Sequence, residues 1–264
     1  MRLATFNILH GKSLLDGEVD LDRFATAIRD LDADVLALQE VDSGQPRSHG
    51  SDQAAVAAAA MGAREHRFVA TMAGVPGNWS PASHDHRPED ARYGIALLSR
   101  HPVRSWRTIE LPRLHGRVPV VFPGRRTLTL VRDEPRVAVV AVLDTPDGPL
   151  TVVATHLTLI PGWSTVQLRR LMRQVRVLPR PLIVLGDLNL AGSRPSRVAQ
   201  MRPLASALTF PVAEPVRQID HILGAGPVRT TSDAAGLDLG LSDHRALVVE
   251  VELDGETPTT ASRA

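Results

Sequence analysis

The residues best suited to chemistry in this chain stand at the ends of its most apolar stretches. Residues 181–185 form a β-branched run of strand length, Gly186 lets the backbone turn, and Asp187 and Asn189 follow two residues apart. In extended backbone their side chains leave on one face. A carboxylate and a carboxamide at the tip of a buried strand are costly unless something binds there. Oxygen ligands on a rigid edge suit a hard divalent cation and a phosphate. Taken alone, the stretch reads equally well as a strand ending in an Asp-x-Asn turn.

The pattern recurs. Asn7 closes the β-rich run 3–8, where its propensity is wrong. Glu40 ends the apolar run 34–39, and His156 ends 150–155. Asp220 lies inside the strand expected at 218–223, and Asp243 and His244 precede the last strand, 246–253. Each residue alone has an ordinary explanation as a turn or surface group. Eight acids, amides and histidines at strand ends point to one pocket at a sheet edge. Such a set suits metal-assisted hydrolysis of a phosphate ester, the metal neutralising phosphoryl oxygens while a carboxylate activates water.

The elements that would position these residues alternate strand and helix, which argues for a layered α/β architecture. Asp20 or Asp22 can cap a helix carrying Leu21, Phe24, Ile28 and Leu31 at helical spacing. An Ala-rich helix at 52–61 ends at Gly62, and a strand follows at 64–71. Residues 72–92 show no periodicity and read as a long surface loop, a kind of segment that is often functional. Strands are expected at 93–100, 106–111, 136–143 and 150–155, the last two joined by an Asp147-Gly148 turn; 114–133 supports no assignment. A helix at 163–178 would turn Val166, Leu168, Leu171, Val175 and Leu178 inward and Arg169, Arg170, Arg173 and Arg176 to solvent. Residues 194–208 read as partly helical, broken at Pro203. The expectation is one domain over 1–254 and a frayed, flexible polar tail at 255–264.

Composition excludes several classes. At 264 residues, 43% hydrophobic and 22% charged, the chain matches an ordinary globular protein. A net charge of +1 does not describe a strongly basic nucleic-acid binder. With no cysteine there is no disulfide, thiolate metal site or cysteine nucleophile, so any metal must be held by Asp, Glu, Asn or His. The N-terminus reads directly as a strand, and no apolar run approaches the roughly 18 residues of a membrane span. A cytoplasmic protein without stable membrane insertion is expected.

Seven short motifs occur in order: Thr5-Phe6-Asn7, Leu38-Gln39-Glu40-Val41-Asp42, the strand 93–100, Thr155-His156, Gly186-Asp187-Leu188-Asn189, Ile219-Asp220-His221-Ile222 and Ser242-Asp243-His244. The series resembles that of the endonuclease/exonuclease/phosphatase superfamily, which includes deoxyribonuclease I, abasic-site endonucleases, neutral sphingomyelinases and inositol polyphosphate 5-phosphatases. It spans residues 3–250. The resemblance implies a four-layer α-β-β-α sandwich of two packed mixed β-sheets, with the site at one edge. It also implies a Mg²⁺ (or Mn²⁺) site at Glu40, with Asn7 and Asp243 nearby. Asp187 would orient or deprotonate the attacking water, and Asn189 would orient the phosphate. His244 would contact the scissile phosphate with Asp220 as its partner, His156 would protonate the leaving oxygen, and Tyr93 would stand near the phosphate.

The function expected is a divalent-metal-dependent phosphodiesterase acting on a small-molecule, lipid or nucleic-acid phosphate ester. A DNA endonuclease and a sphingomyelinase-like lipid enzyme are the alternatives, the latter with apolar residues exposed at 74–79 or 159–163. Where abasic-site endonucleases usually carry Gln-Glu-Thr-Lys, this chain has Gln39-Glu40-Val41-Asp42, which counts against that branch. Arg47 could grip a second anionic group or pair with Asp42 or Asp52. An inactive binding module would need a central residue lost, and none is. Oligomeric state stays open.

Overall fold

The structure is a computed structural model that describes residues 1–83, 90–121 and 127–254. In chain order the first half holds β1 (Arg2–Asn7), α1 (Leu21–Leu31), β2 (Val35–Ser43), α2 (Gln53–Met61), β3 (Glu65–Val75), β4 (Asn78–Pro81), β5 (Arg92–Ser99) and β6 (Val103–Leu111). Next come β7 (Arg117–Val121), β8 (Leu128–Arg132), β9 (Arg136–Thr145), β10 (Gly148–His156), α3 (Trp163–Val175), β11 (Leu182–Asp187) and α4 (Arg194–Ala199). The chain closes with β12 (Arg202–Pro203), β13 (Asp220–Ala225), β14 (Val228–Thr230), β15 (Ala235–Leu237) and β16 (Ala246–Leu253).

Two mixed sheets dominate. One runs β14-β16-β1-β2-β5-β3-β4, with β15 also on β16; the other runs β12-β13-β11-β10-β9-β6. Their inner faces share a core that includes Leu3, Ala37, Ile183 and Leu185. The opposite faces of the same strands, through Phe6, Leu36 and Leu38 in one sheet and Leu182 and Val184 in the other, pack against α1 and α2 or against α3. Strands covered on both faces read as unbroken apolar runs, which is why β1, β2, β10 and β11 stood out in the sequence. The four layers are helix, sheet, sheet, helix, as expected.

The helices begin and end where local chemistry dictates. Asp20 accepts hydrogen bonds from the backbone N–H groups of Asp22 (2.8 Å) and Arg23 (3.0 Å), satisfying two donors at the start of α1. Asp52 does the same for Ala55, and Gly62 ends α2 at φ +67°. In α3 the buried stripe is Leu168, Leu171, Met172 and Val175. Val166 is exposed rather than inward, because two residues before Leu168 it points roughly 200° around the helix.

Several expectations need correction. Residues 72–92 are not one long loop: β3 continues to Val75 and turns back as β4. The 114–133 stretch contains the β7–β8 hairpin. Val118, Val120 and Val131 of β7–β8 turn inward while Val121, Leu128 and Leu130 lie exposed, so apolar residues stand on both faces of the pair and no apolar–polar alternation marks it in the sequence. Residues 84–89 and 122–126 and the expected tail at 255–264 lie outside the described residues. α4 ends at Ala199, capped by Gln200 at φ +56°, and not at Pro203. No described helix is long and apolar enough to cross a membrane.

The pairing β1–β2 and the pairing β10–β11 are parallel, so Asn7, His156 and Asp187 end their strands at one edge, with Asn7 beside Gln39 of β2. Asp187 also faces Asp220 across the antiparallel β11–β13 ladder. Close passage of β10 and β11 here requires Gly186. Its φ is +146°, and a Cβ would stand 1.8 Å from the Thr155 carbonyl oxygen. Gly186→Ala is expected to destabilise the fold by about 3 kcal/mol or more. In a thermal melt that amounts to a loss of roughly 6–12 °C; an unchanged melting temperature would contradict this packing.

Candidate active site

The site begins where the two sheets touch. Asn7, at the end of β1, donates its Nδ2 hydrogens to Glu40 Oε1 (3.0 Å) in its own sheet and to Asp187 Oδ2 (3.2 Å) in the other. Its Oδ1 accepts from the backbone N–H of Leu9 at 3.2 Å. Glu40 reaches this position through a break in register with β5 between Gln39 and Val41, and its own φ is +60°. A bulge of this kind turns a side chain that would alternate into the sheet out toward the edge. Leu9, His10, Asn189 and Ser242 also hold positive φ, so left-handed non-glycine residues gather around the site.

On the second sheet, His156 Nε2 lies 3.4 Å from Asp187 Oδ2. Asp187 closes β11 with a tight turn in which its Oδ1 accepts from the backbone N–H of Asn189 at 2.9 Å. The extended geometry expected for these two residues is therefore absent: Asn189 is left-handed at φ +49°, and its Nδ2 donates to the Leu157 carbonyl at 2.9 Å. Asn189 ties the loop after β10 to the loop after β11. Asp220 opens β13 rather than sitting inside it, and His244 Nδ1 stands 3.0 Å from Asp220 Oδ2. Ser242 fixes that turn, its hydroxyl donating to the Asn7 carbonyl (2.6 Å) and accepting from the His244 N–H (3.1 Å). Phe210 packs its ring on the imidazole, centroids 4.9 Å apart.

Crowded carboxylates set the electrostatics. Burial, reinforced by Asp220, raises Asp187 to about 7. Burial and then Asp243 raise Glu40, against the hydrogen bond from Asn7. Burial alone would keep His244 neutral, but Asp220, Asp187 and Asp243 overcome it and lift the imidazole to about 10. Burial, with help from Arg136 and His244, pushes His156 well down, so it is neutral.

Two groupings could attract a cation. Asp187, Asp220 and His244 bring one ligand atom each within 4.8 Å of one another. An imidazolium cannot ligate a metal, however, and His244 already offsets one of the two acidic charges of this triad from within. Glu40 and Asp243 are better suited: their carboxylates repel each other, both are partly exposed, and no cationic side chain is ion-paired to Glu40 among the described residues. The donor set there is all oxygen, as a hard divalent cation prefers. Asn7 braces this site through Nδ2, and its Oδ1, which accepts from the Leu9 N–H, keeps a second lone pair.

A sequence profile of the Endonuclease/Exonuclease/phosphatase family matches residues 4–244. The chain belongs to this family. A comparison with curated proteins found no match. Among solved structures, an endonuclease/exonuclease/phosphatase from Beutenbergia cavernae is similar, with a TM-score of 0.72 at 23% identity over 96% of this chain and 71% of that one. The mannosyl-6-phosphatase of Bacteroides thetaiotaomicron gives 0.61 at 16% identity, over 96% and 100% of the two chains. TDP2 of D. rerio, complexed with a single-strand DNA product, gives 0.57 at 18%, over 96% and 98%. At these identities the likeness shows the fold, and family members hydrolyse phosphate esters.

The endonuclease/exonuclease/phosphatase edge gathers Asn7, Glu40, His156, Asp187, Asn189, Asp220, Asp243 and His244. Tyr93, near the start of β5, lies farther along, where burial and Glu40 raise its phenol well above its ordinary value. Arg47 pairs with Asp42, not Asp52, donating from Nε (2.8 Å) and Nη2 (2.7 Å). Arg136 was not expected. It is buried at the start of β9, pairs with Glu134 at 3.1 Å and leaves Nε without a partner. β9 runs antiparallel to β10, so its first residue falls at the same edge as His156. A charged residue opening an apolar strand was the available signal.

In metal-free protein the His244 imidazolium should persist at pH 8 and titrate near 10, visible as a charged ring in nitrogen-detected NMR. Because the folded value lies above the ordinary 6.5, this charge favours the folded state fully below that pH, and the contribution disappears as pH rises through about 10. Asp220→Asn should drop the titration by about 2 units or more. A ring that titrates near 6.5 in the unsubstituted protein would refute the pairing.

Proposed function

We propose that this chain is a Mg²⁺- or Mn²⁺-dependent phosphodiesterase. The observation that carries this reading is the charge balance of the edge. Glu40, Asp187, Asp220 and Asp243 supply four carboxylates against one imidazolium, His244. Arg47 and Arg136 are tied to Asp42 and Glu134. A divalent ion reduces the excess to about one negative charge, which repels a dianionic monoester more than a monoanionic diester.

Glu40 and Asp243 would hold the ion, with Asn7 bracing Glu40. When bound, the ion would withdraw electron density from the phosphoryl group and offset charge on its oxygens. His244, held as imidazolium by Asp220, donates to a phosphoryl oxygen and stabilises the charge that grows there. Asp187 takes a proton from the attacking water; its raised value makes it a better base than an ordinary aspartate. His156, neutral and 3.4 Å from Asp187 Oδ2, accepts that proton and passes it to the departing oxygen. Asn189 keeps the Asp187 carboxylate oriented through its backbone N–H.

Bis-p-nitrophenyl phosphate is expected to be hydrolysed with Mg²⁺ or Mn²⁺ and not with EDTA, and faster than p-nitrophenyl phosphate. Asp187→Asn removes a buried, like-charged carboxylate while keeping its shape. It should lower kcat by about 10³-fold or more, with a melting temperature equal to or above that of the unsubstituted protein. Turnover that survives in Asp187→Asn or in EDTA would sink the mechanism.

A further inference from the structure

Beside Glu40 lies a cavity of about 200 Å³, walled by His10, Arg47, Trp79, Tyr93 and Glu134. We propose that it binds an uncharged, hydroxylated group, a polyol or sugar ring, esterified to the scissile phosphate. This rests on the phosphodiesterase reading and assigns the non-reacting half of its substrate.

The cavity is a built feature. The 3₁₀ turn Pro46–Ser48 carries Arg47, and Asp42, with no exposed side-chain surface, holds the Nε/Nη2 edge of its guanidinium. Nη1 is left without a partner among the described residues. Leu9 and His10 form the adjoining wall in left-handed backbone, φ +44° and +48°. Gln53 locks that wall, donating to the His10 carbonyl (2.7 Å) and accepting from the Asp42 N–H (2.9 Å). Strained residues held by a buried side chain mark a surface shaped for a ligand.

Its chemistry narrows the occupant. A cationic head group would seek the aromatic faces, but Arg47 already lies against both, 5.7 Å from the Trp79 centroid and 5.6 Å from that of Tyr93. A second anion would find no uncommitted cation in the walls, since Arg47 is paired with Asp42 and the neighbouring Arg136 with Glu134. An apolar chain would strand the polar groups that form most of the lining. What remains in the walls is a set of fixed hydrogen-bonding groups: Arg47 Nη1 as donor, the Glu134 carboxylate as acceptor, and the Tyr93 hydroxyl and a neutral His10 able to do either. His10 is held near 4 by burial and by the neighbouring Arg47 and Lys12. Trp79, tilted 47° to Tyr93, offers an apolar wall for the C–H face of a ring.

The test compares p-nitrophenyl phosphodiesters that share a leaving group and differ in the head: inositol, inositol bearing a further phosphate, choline, and a second p-nitrophenyl group. The inositol ester should exceed the other three at least tenfold in kcat/KM, and Trp79→Ala should shrink that advantage to threefold or less. Calorimetry of the inositol ester on Asp187→Asn with Mg²⁺ reads binding without turnover, and adding Trp79→Ala should weaken it at least tenfold. Choline or phosphorylated heads that match inositol, or a preference that survives Trp79→Ala, would overturn the proposal. If no ester is hydrolysed but the Trp79-dependent binding persists, the phosphodiesterase reading fails and the pocket stands. If bis-p-nitrophenyl phosphate is hydrolysed with no inositol preference, the reading stands and the pocket assignment fails.

Discussion

The carboxamide of Asn7 is the only side chain that hydrogen-bonds Glu40 in one sheet and Asp187 in the other among the described residues. Each sheet delivers a carboxylate to the same edge, and without a donor between them the two would drive the edges apart. An aspartate at this position would add a third charge, and an apolar residue would leave both acids unsatisfied. Asn7 is itself held from below by Leu9 and from the side by Ser242, whose hydroxyl bonds its carbonyl. The 242–244 turn that positions His244 thus hangs on the end of β1. Glu40, Asp187 and His244, the residues given metal, water and phosphate roles in the proposed reaction, share one support.

That support does not neutralise the edge. Asp187 and Glu40 sit above their ordinary values chiefly because they are buried, with neighbouring acids adding to the shift. The bulge at Glu40 and the left-handed backbone at Leu9, His10, Asn189 and Ser242 add conformational strain in the same place. The sandwich core is where this cost is met, through strands packed on both faces and helices with regular caps. A stable frame around a destabilised edge is the expected arrangement for a site that becomes comfortable only when loaded.

Much of this was legible before the structure. Polar residues ending apolar strands located Asn7, Glu40, His156 and Asp187, because parallel strands buried on both faces leave only their tips for polar groups. The same rule missed Arg136, which begins its strand and reaches the edge only because β9 runs the opposite way. Glu40 was found, but not its bulge, since Gln39-Glu40-Val41 reads as ordinary strand. The end of β3 with β4 escaped because it is short and interrupted by Gly74 and Gly77, and β7–β8 because apolar residues stand on both of its faces. Asn189 was placed on the right loop with the wrong backbone: an Asp-x-Asn sequence fits a strand end and a tight turn alike, and the turn won. Pairings across long sequence distances, such as Ser242 with Asn7, needed the fold, whereas that of Arg47 with Asp42, five residues away, was one of the choices the sequence offered.

Glu40 and Asp243, braced by Asn7, are proposed as the cation site, while in the Asp187, Asp220 and His244 triad the imidazolium already offsets part of the acidic charge. Calorimetric titration of metal-free protein with Mn²⁺ tests this assignment most directly. Binding should be lost in Glu40→Gln, strongly weakened in Asp243→Asn and retained in Asp220→Asn. Binding that survives Glu40→Gln but vanishes in Asp220→Asn would place the ion in the triad and contradict the account.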